Sequence, residues 1–173
     1  MTTDSHARLG PPGTVQDGPA PTGVRVPPFP PASPVSGMGA FLPRGWCVLR
    51  HASLDSTNAT ARDLALQGCP EGTVVLADAQ TGGRGRLGRS WHSPAGRGLW
   101  VSAVLRPGLE LARLPQLTLV AAVAVARAVE ACAGVSPGIK WPNDLLAGGR
   151  KLCGILCEIV DAGRGGEEPA VVE

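Results

Sequence analysis

Aromatic residues are scarce in this sequence, which has four tryptophans, two phenylalanines and no tyrosine among 173 residues. Proteins that bind single-stranded nucleic acids without sequence preference stack the bases on aromatic side chains, so the scarcity argues against that class. The net charge of +2 is also too small to indicate nucleic-acid binding by itself. Any positively charged site must therefore rest on a local concentration of basic residues.

Metal-binding cysteine spacings and long apolar runs are also missing. The five cysteines are odd in number and follow no metal spacing, which indicates a reducing compartment and small buried thiols. Cys153 and Cys157 are expected on one face of a strand. No signal-peptide pattern opens the chain, and the most apolar stretch, residues 114–126, spans about 13 residues against the ~20 that a bilayer requires. We therefore expect a soluble cytoplasmic protein without a membrane segment.

Proline is concentrated near the N-terminus. Residues 1–43 hold ten of the 17 prolines and almost no hydrophobic periodicity. Such a segment buries too little apolar surface to offset its ordering entropy, so we expect a disordered tail; the alternative is a polyproline ligand for a partner domain. Residues 44–173 are long enough for one domain with a core. Because the sequence stops at Glu173 just as an apolar run begins, we expect this domain to be incomplete.

Strand and helix patterns are mixed along the predicted domain. Apolar, β-rich runs predict strands at residues 46–49, 73–79, 99–105, 139–141, 145–147, 151–160 and from 170 onward. A helix is predicted at residues 58–67, with Asp55, Ser56 or Thr57 as N-cap and Gly68 as its stop. A second is predicted at residues 114–133, and apolar residues around most of its circumference predict deep packing against a sheet. The pattern indicates an α/β or α+β fold with a mixed or antiparallel sheet.

The stretch of residues 79–100 contains six glycines, four arginines and no acidic residue. Glycine lets main-chain N–H groups turn inward on a ligand, and arginine adds forked donors for carboxylate and phosphate oxygens. A loop of this length between two strands is usually functional or disordered. We interpret it as a flexible anion-binding loop; the alternatives are a plain surface loop and a disordered RNA-binding segment.

Known phosphate-binding signatures do not account for this loop. It lacks the Gly-Lys-Ser/Thr ending of a Walker A loop, and the helix that should follow a GxGxxG match is replaced by WHSP at residues 91–94. Classical dinucleotide binding is therefore not predicted.

Four short motifs stand in order along the chain: DSTN at residues 55–58, Gln80 followed by GGRGRLGR at 82–89, KWPND at 140–144, and RKLCGIL at 150–156. Each has a plain structural explanation, such as helix capping or a solvent-exposed lysine at a strand end. Together they supply what carboxylate activation by a nucleotide requires. Arginines and a lysine can screen the repulsion between carboxylate and phosphate, while hydroxyl and amide side chains orient the neutral part of the acid.

In this order and at these spacings, the motifs resemble those of the biotin–protein ligases, over roughly residues 46–173. The resemblance implies an α+β catalytic domain, similar to class II aminoacyl-tRNA synthetases, in which a mixed, largely antiparallel sheet carries packed helices. It implies a C–N bond-forming ligase that uses ATP and Mg²⁺ to convert biotin to biotinyl-5′-adenylate. The ligase then transfers the biotinyl group to one lysine of a biotin carboxyl carrier protein domain.

The resemblance also assigns roles to residues, motif by motif. It implies catalytic roles for Arg86, Lys151 and Asp144. It implies biotin contacts for Ser56, Thr57, Asn58, Gln80, Arg84, Gly85, Arg86, Lys151 and Gly154. It implies nucleotide contacts for Arg84, Arg86, Trp91, Asn143, Asp144 and Lys151. The glycine-rich loop would be mobile without ligand and would close over the adenylate, keeping water away.

Two departures from the family pattern set further expectations. No helix-turn-helix precedes the catalytic motifs, so we expect the monofunctional class without specific DNA binding. The family's SH3-like C-terminal domain is also missing, so the activity of this chain is left open. No tightly bound cofactor and no protein metal site are expected, and a homodimer is left open. The alternatives are a lipoate or octanoate ligase or transferase of the same fold, and a truncated, non-catalytic biotin-binding fragment.

Overall fold

The computed structural model describes residues 42–160 and 170–172. The predicted disordered tail, up to residue 41, and the predicted loop at residues 161–169 lie outside these ranges. The described elements are, in chain order, β1 (Cys47–His51), α1 (Thr57–Leu66), β2 (Thr73–Ala77), a 3₁₀ turn (Arg86–Gly88), β3 (Trp100–Leu105), a 3₁₀ helix (Leu111–Gln116), α2 (Leu117–Ala133), β4 (Gly138–Lys140), β5 (Asp144–Ala147), β6 (Arg150–Gly154), β7 (Glu158–Val160) and β8 (Ala170–Val172).

A five-stranded sheet forms the larger layer, in the order β1-β2-β3-β8-β7. β1 and β2 run parallel, and the remaining neighbours are antiparallel. The valine-rich β2 is almost entirely buried, as expected for a strand covered on both faces. The small residues Ala61 and Ala65 let α1 pack closely on this sheet, against Val75, Val104 and Val172.

α1 begins and ends one residue earlier than the predicted 58–67, with its cap and stop at residues that the sequence indicated. Ser56 is the N-cap, and its hydroxyl accepts a hydrogen bond from the Ala59 N–H (3.4 Å). Gly68 follows the helix with a φ of +81°, a left-handed conformation that glycine adopts without a Cβ penalty. This start places Ser56, Thr57 and Asn58 together at the beginning of α1, where all three are buried.

A second, three-stranded antiparallel sheet (β4-β5-β6) packs against α2. Their shared core is small, with Ala122, Leu145 and Ile155 at its centre. The prediction that α2 packs deeply was wrong, because within the described residues only this narrow stripe of the helix meets the sheet. Leu119, Val120 and Val123 on its other faces are exposed.

The apolar helical segment is longer than the sequence analysis indicated. The helical segment Leu111–Ala133 has 23 residues and is long and apolar enough to cross a membrane, by length and composition only. It is longer than the apolar stretch because it begins in the 3₁₀ helix and continues past Arg127. In the structure this segment packs on the small sheet.

The single strand predicted for residues 151–160 is two strands in different sheets. β6 belongs to the small sheet and β7 to the large one. Between them the Ile155 N–H donates to the Asn143 carbonyl (2.9 Å), which turns the chain out of β6. Cys153 and Cys157 therefore do not share one face of a strand, and that prediction was wrong. The overall α+β class with a mixed, largely antiparallel sheet is confirmed.

Candidate active site

A cavity of about 410 Å³ lies between the two sheets. It is bounded by the start of α1, the glycine–arginine loop, β3, and β6 with the residues that follow it. Of the site residues predicted from the sequence, all but Asp144 line the cavity, and Asp144 reaches it through Lys151. Motifs separated by up to about a hundred residues are thus brought to one place.

One end of the cavity is built from neutral hydrogen-bonding groups. The Thr57 N–H donates to Gln80 Oε1 (2.7 Å), and Thr57 Oγ1 lies 3.1 Å from the same oxygen. Gln80 Nε2 donates to Ser93 Oγ (3.0 Å), which in turn donates to the Trp91 carbonyl (3.3 Å). These bonds fix the direction of the Gln80 amide, so that its oxygen faces the start of α1.

A second set of bonds anchors the neutral end from behind. Ser102 Oγ lies 2.9 Å from Thr57 Oγ1 and 3.0 Å from Asn58 Oδ1. The Asn58 amide nitrogen donates to Glu158 Oε2 (3.1 Å) and to the Leu156 carbonyl (3.4 Å). The hydroxyl and amide groups of the STN motif are therefore held by β3 and by the chain around β7.

The other end of the cavity carries positive charge. Lys151 Nζ lies 2.6 Å from Asp144 Oδ1 and 4.7 Å from the centre of the Trp91 ring, within the range of a cation–π contact. Asp144 Oδ1 is buried without an aligned hydrogen-bond donor, so the contact with Lys151 is an ion pair rather than a well-directed hydrogen bond. The ammonium is held from two sides at the edge of the cavity.

Gly154 makes room for this arrangement. A Cβ at Gly154 would lie 3.0 Å from Lys151 Cε, 3.1 Å from its Nζ and 3.1 Å from Trp91 Cη2. These distances are shorter than ordinary contacts. The lysine and the tryptophan thus pack directly against the backbone of Gly154.

Two glycines also shape the base of the glycine–arginine loop. A Cβ at Gly83 would lie 2.6 Å from the Trp91 carbonyl oxygen, and one at Gly82 would overlap the Asp55 carboxylate. The Gly83 carbonyl accepts from the Trp91 N–H (2.8 Å), and the Gly85 N–H donates to the Arg89 carbonyl (2.7 Å). Backbone hydrogen bonds across the base of the loop therefore hold its two sides close together, so that the loop forms a narrow arch.

Arg86 connects this arch to the KWPND turn. Its Nη1 donates to Asn143 Oδ1 (3.2 Å), and the Asn143 amide nitrogen donates to the Ile155 carbonyl (3.1 Å). Beside it, Leu87 is a non-glycine residue with a φ of +60° and a side chain that is 89% exposed. The tip of the loop thus presents an apolar side chain to solvent, while Arg84 and Arg86 line the cavity.

Several residues at the site were missed by sequence reasoning. Ser102, Trp100 and Arg97 line the cavity, Ser93 orients Gln80, and Glu158 holds Asn58. A signal existed for two of them. Ser102 interrupts the apolar strand WVSAVL, and Glu158 interrupts the apolar run at residues 155–160; a polar residue in a buried strand needs a partner.

Burial raises the pKa of the Cys153 thiol, although the neighbouring Lys151 opposes the shift. The thiol is therefore protonated at neutral pH and is a poor nucleophile. Cys153 lines the cavity as a small apolar group.

A cavity with a neutral hydrogen-bonding end and a cationic end, in a mixed α+β fold, is suited to an organic acid and an activating phosphate. The model of the Biotin/lipoate A/B protein ligase family matches residues 51–166, and the chain belongs to this family. The predicted family resemblance is thereby confirmed.

Named relatives and solved structures agree with this assignment. The chain is 52% identical over 115 residues to the bifunctional ligase/repressor BirA of Bacillus subtilis, covering 66% of this chain and 35% of that protein. It is 43% identical over 122 residues to the biotin–[acetyl-CoA-carboxylase] ligase of Paracoccus denitrificans, covering 69% and 50%. The biotin protein ligase of Aquifex aeolicus, solved in complex with biotin and ATP, superimposes with a TM-score of 0.60 at 34% identity, covering 72% and 50%. The chain thus spans about a third to a half of the length of these relatives.

Proposed function

We propose that this chain provides the pocket of an ATP-dependent biotin–protein ligase. The enzyme would activate biotin as biotinyl-5′-adenylate and transfer the biotinyl group to a lysine of a carrier domain. The observation that carries the proposal is the polarity of one cavity, with the Thr57–Gln80 pair at its neutral end and Lys151 at its charged end. The names of the relatives, and the biotin and ATP in the Aquifex aeolicus complex, support the choice of substrates.

The neutral end would receive the ureido head of biotin. A ureido group has N–H donors and a carbonyl acceptor but no charge, so it needs partners of both kinds in a buried place. Ser56, Thr57, Asn58 and Gln80 supply hydroxyl and amide groups there, and at least three of them are more than nine-tenths buried. The apolar lining between the two ends, which includes Val125 and Leu152, would cover the hydrocarbon tail.

The charged end would receive the carboxylate and the α-phosphate. In the first step a biotin carboxylate oxygen attacks the α-phosphorus of ATP, and pyrophosphate leaves. Lys151 and Arg86 would screen the repulsion between the two anions, with Arg84 and the Gly85 backbone on the loop beside them. A hydrogen bond to a charged group contributes about 1.5–3 kcal/mol, so a few such contacts would hold the adenylate. Trp91 and Asn143 would lie on the nucleotide side.

In the second step the neutral amine of the carrier lysine attacks the acyl carbon, AMP leaves with the bonding electrons, and the nitrogen loses one proton to water as the amide forms. Asp144 is the carboxylate beside the charged end, and we assign it the positioning of this amine. Its pairing with Lys151 means that the same ion pair would take part in both steps. Gly154 would serve biotin binding by letting Lys151 and Trp91 lie directly against its backbone.

Mg²⁺ would arrive with ATP rather than in a protein cage. Among residues 42–160 and 170–172, no three His, Cys, Asp or Glu side chains cluster as a metal site. The carboxylate near the charged end, Asp144, is already paired with Lys151. Mg²⁺ commonly keeps several waters and binds substrate phosphates with few protein ligands, which fits this set of residues. When bound, it would supply charge neutralisation on the phosphates.

The remaining expectations stay proposals. We propose a biotin carboxyl carrier protein domain as the macromolecular partner, because relatives are named as ligases of acetyl-CoA carboxylase. We propose the cytoplasm as the compartment and residues 44–173 as part of one catalytic domain. DNA binding is not proposed. The match to the bifunctional relative covers 35% of that protein, so it does not extend the repressor activity to this chain.

Pyrophosphate exchange with the whole 173-residue chain tests the first step. We expect biotin-dependent incorporation of labelled pyrophosphate into ATP, with lipoate giving little or none. Exchange with lipoate alone would instead identify a lipoate ligase. A single-turnover assay with a carrier domain tests the second step, with a lysine-to-arginine carrier as its control. Calorimetric binding of biotin without exchange or transfer would mean that the chain is a non-catalytic binder.

A further inference from the structure

The neutral end of the cavity has more oxygen–oxygen contacts than hydrogens to fill them. Three contacts link Asn58 Oδ1 to Ser102 Oγ (3.0 Å), Ser102 Oγ to Thr57 Oγ1 (2.9 Å), and Thr57 Oγ1 to Gln80 Oε1 (3.1 Å). The two amide oxygens only accept, and each hydroxyl has one hydrogen to donate. Two hydrogens cannot fill three contacts, so one contact must lack a hydrogen.

Glu158 fixes the direction of one end of this chain of contacts. Its carboxylate accepts from the Asn58 amide nitrogen (3.1 Å), so Asn58 Oδ1 must face Ser102. Ser102 then donates to Asn58, and the Thr57 hydrogen has two possible acceptors, Ser102 Oγ and Gln80 Oε1. We assign it to Ser102, because that contact is shorter (2.9 against 3.1 Å) and Gln80 Oε1 already accepts from the Thr57 N–H (2.7 Å). The contact left without a hydrogen is the one between Thr57 Oγ1 and Gln80 Oε1, both of which belong to cavity-lining residues.

We propose that Glu158 and Ser102 are positioning residues that direct the Thr57 hydroxyl hydrogen away from Gln80. This leaves two acceptor oxygens 3.1 Å apart for an N–H group of the bound substrate. The proposal rests on the proposed function, since biotin supplies the N–H. Ser102 lines the cavity, whereas Glu158 is not among the lining residues and acts through Asn58.

Two variants reverse the hydrogen direction by different routes. In Ser102→Ala the Thr57 hydroxyl loses its acceptor and turns to Gln80 Oε1. In Glu158→Met the Asn58 amide is freed from the carboxylate, while the weaker bond to the Leu156 carbonyl (3.4 Å) remains. Asn58 can then turn its NH₂ toward Ser102, and the chain reverses. Glu158→Gln keeps an acceptor oxygen of the same reach and should preserve the direction.

Biotin calorimetry with the whole chain tests the proposal. We expect Ser102→Ala and Glu158→Met each to raise the Kd for biotin about 5- to 10-fold, the effect of one lost hydrogen bond. The Kd for ATP should not change. Glu158→Gln should stay within about threefold of wild type. Because both changes act through one hydrogen, the double variant should bind about as weakly as either single variant, a non-additive result.

Glu130→Met, at an exposed position on α2, is the matched control and should bind biotin as wild type does. Urea unfolding of each variant establishes that it is folded at the assay temperature. Wild-type affinity in Glu158→Met, or an additive double variant, would overturn the positioning role while leaving the proposed function intact. A wild-type chain that does not bind biotin would overturn the proposed function, and this inference with it.

Discussion

Replacing Gly154 by alanine adds one methyl group directly beneath the charged end of the cavity. The new Cβ would lie 3.0–3.1 Å from Lys151 Cε and Nζ and 3.1 Å from Trp91 Cη2. Because such contacts are too short, the neighbours must shift by a few tenths of an ångström. Lys151 cannot retreat freely, since it is paired with Asp144 at 2.6 Å and lies over the Trp91 ring. The shift must therefore displace the ammonium or the ring.

The size of the effect follows from what Lys151 would contribute. A hydrogen bond from a charged donor is worth about 1.5–3 kcal/mol. Losing about half of it in the transition state, roughly 0.7–1.5 kcal/mol, slows adenylation about 3- to 10-fold. Folding should be affected much less, because the φ of Gly154 is not positive. Alanine there gains about 0.4–1 kcal/mol from the unfolded state, which offsets part of the crowding.

Biotin-dependent pyrophosphate exchange measures the rate, and urea unfolding measures the stability. Gly138→Ala is the matched control, because Gly138 also lies in a strand, has no positive φ and would place its Cβ in open space. We expect Gly138→Ala to behave as wild type in the exchange assay. Wild-type exchange by a folded Gly154→Ala chain would refute the reasoning that the position of Lys151 limits the first step.

Three further outcomes are expected. Arg86→Ala removes the bond to Asn143 (3.2 Å) and should release the adenylate about tenfold faster in pre-steady-state measurements; an unchanged release rate would contradict the closing role of the loop. Arg106→Met removes donors to the Ala65 and Cys69 carbonyls (3.3 and 2.9 Å) at the end of α1, and should lower the free energy of unfolding by about 1–3 kcal/mol without changing biotin affinity. Burial raises the pKa of the Cys153 thiol above the unfolded value of 9.0, so the protonated thiol stabilises the folded chain. This stabilisation is fully present below about pH 9.0 and is lost as the pH rises through the folded pKa. At pH 8, iodoacetamide should therefore alkylate Cys153 more slowly than the exposed Cys132.

The sequence predicted those helices and strands whose ends are determined by residues at the ends themselves, such as caps and glycines. α1, for example, is capped by Ser56 and stopped by Gly68. The prediction failed where the secondary structure depends on residues that are distant in the sequence. An apolar run at residues 151–160 is compatible with one strand, but the chain changes sheets there, at the bond between Ile155 and Asn143 (2.9 Å).

The residues of the candidate site likewise fall into those that the sequence predicted and those that it missed. Some site residues belong to motifs whose residue types indicate a ligand-binding role. The structure brings these residues, Ser56, Gln80, Arg86 and Lys151, to one cavity. Ser102 and Glu158 stand alone in apolar strands, and their role depends on which side chain each one meets. Glu158 meets Asn58 across a hundred residues of sequence, a distance over which no local pattern operates.

The segment that joins β6 to β7 is hydrogen-bonded to residues at both ends of the cavity. On one side, Ile155 exchanges hydrogen bonds with Asn143 of the KWPND turn (2.9 and 3.1 Å). On the other, the Leu156 carbonyl and Glu158 hold Asn58 at the start of α1. The charged end belongs to the small sheet and the neutral end to the large sheet, so this segment is a spacer hydrogen-bonded at both sides. Because it bonds to both, it would hold the two ends of the cavity at a fixed separation.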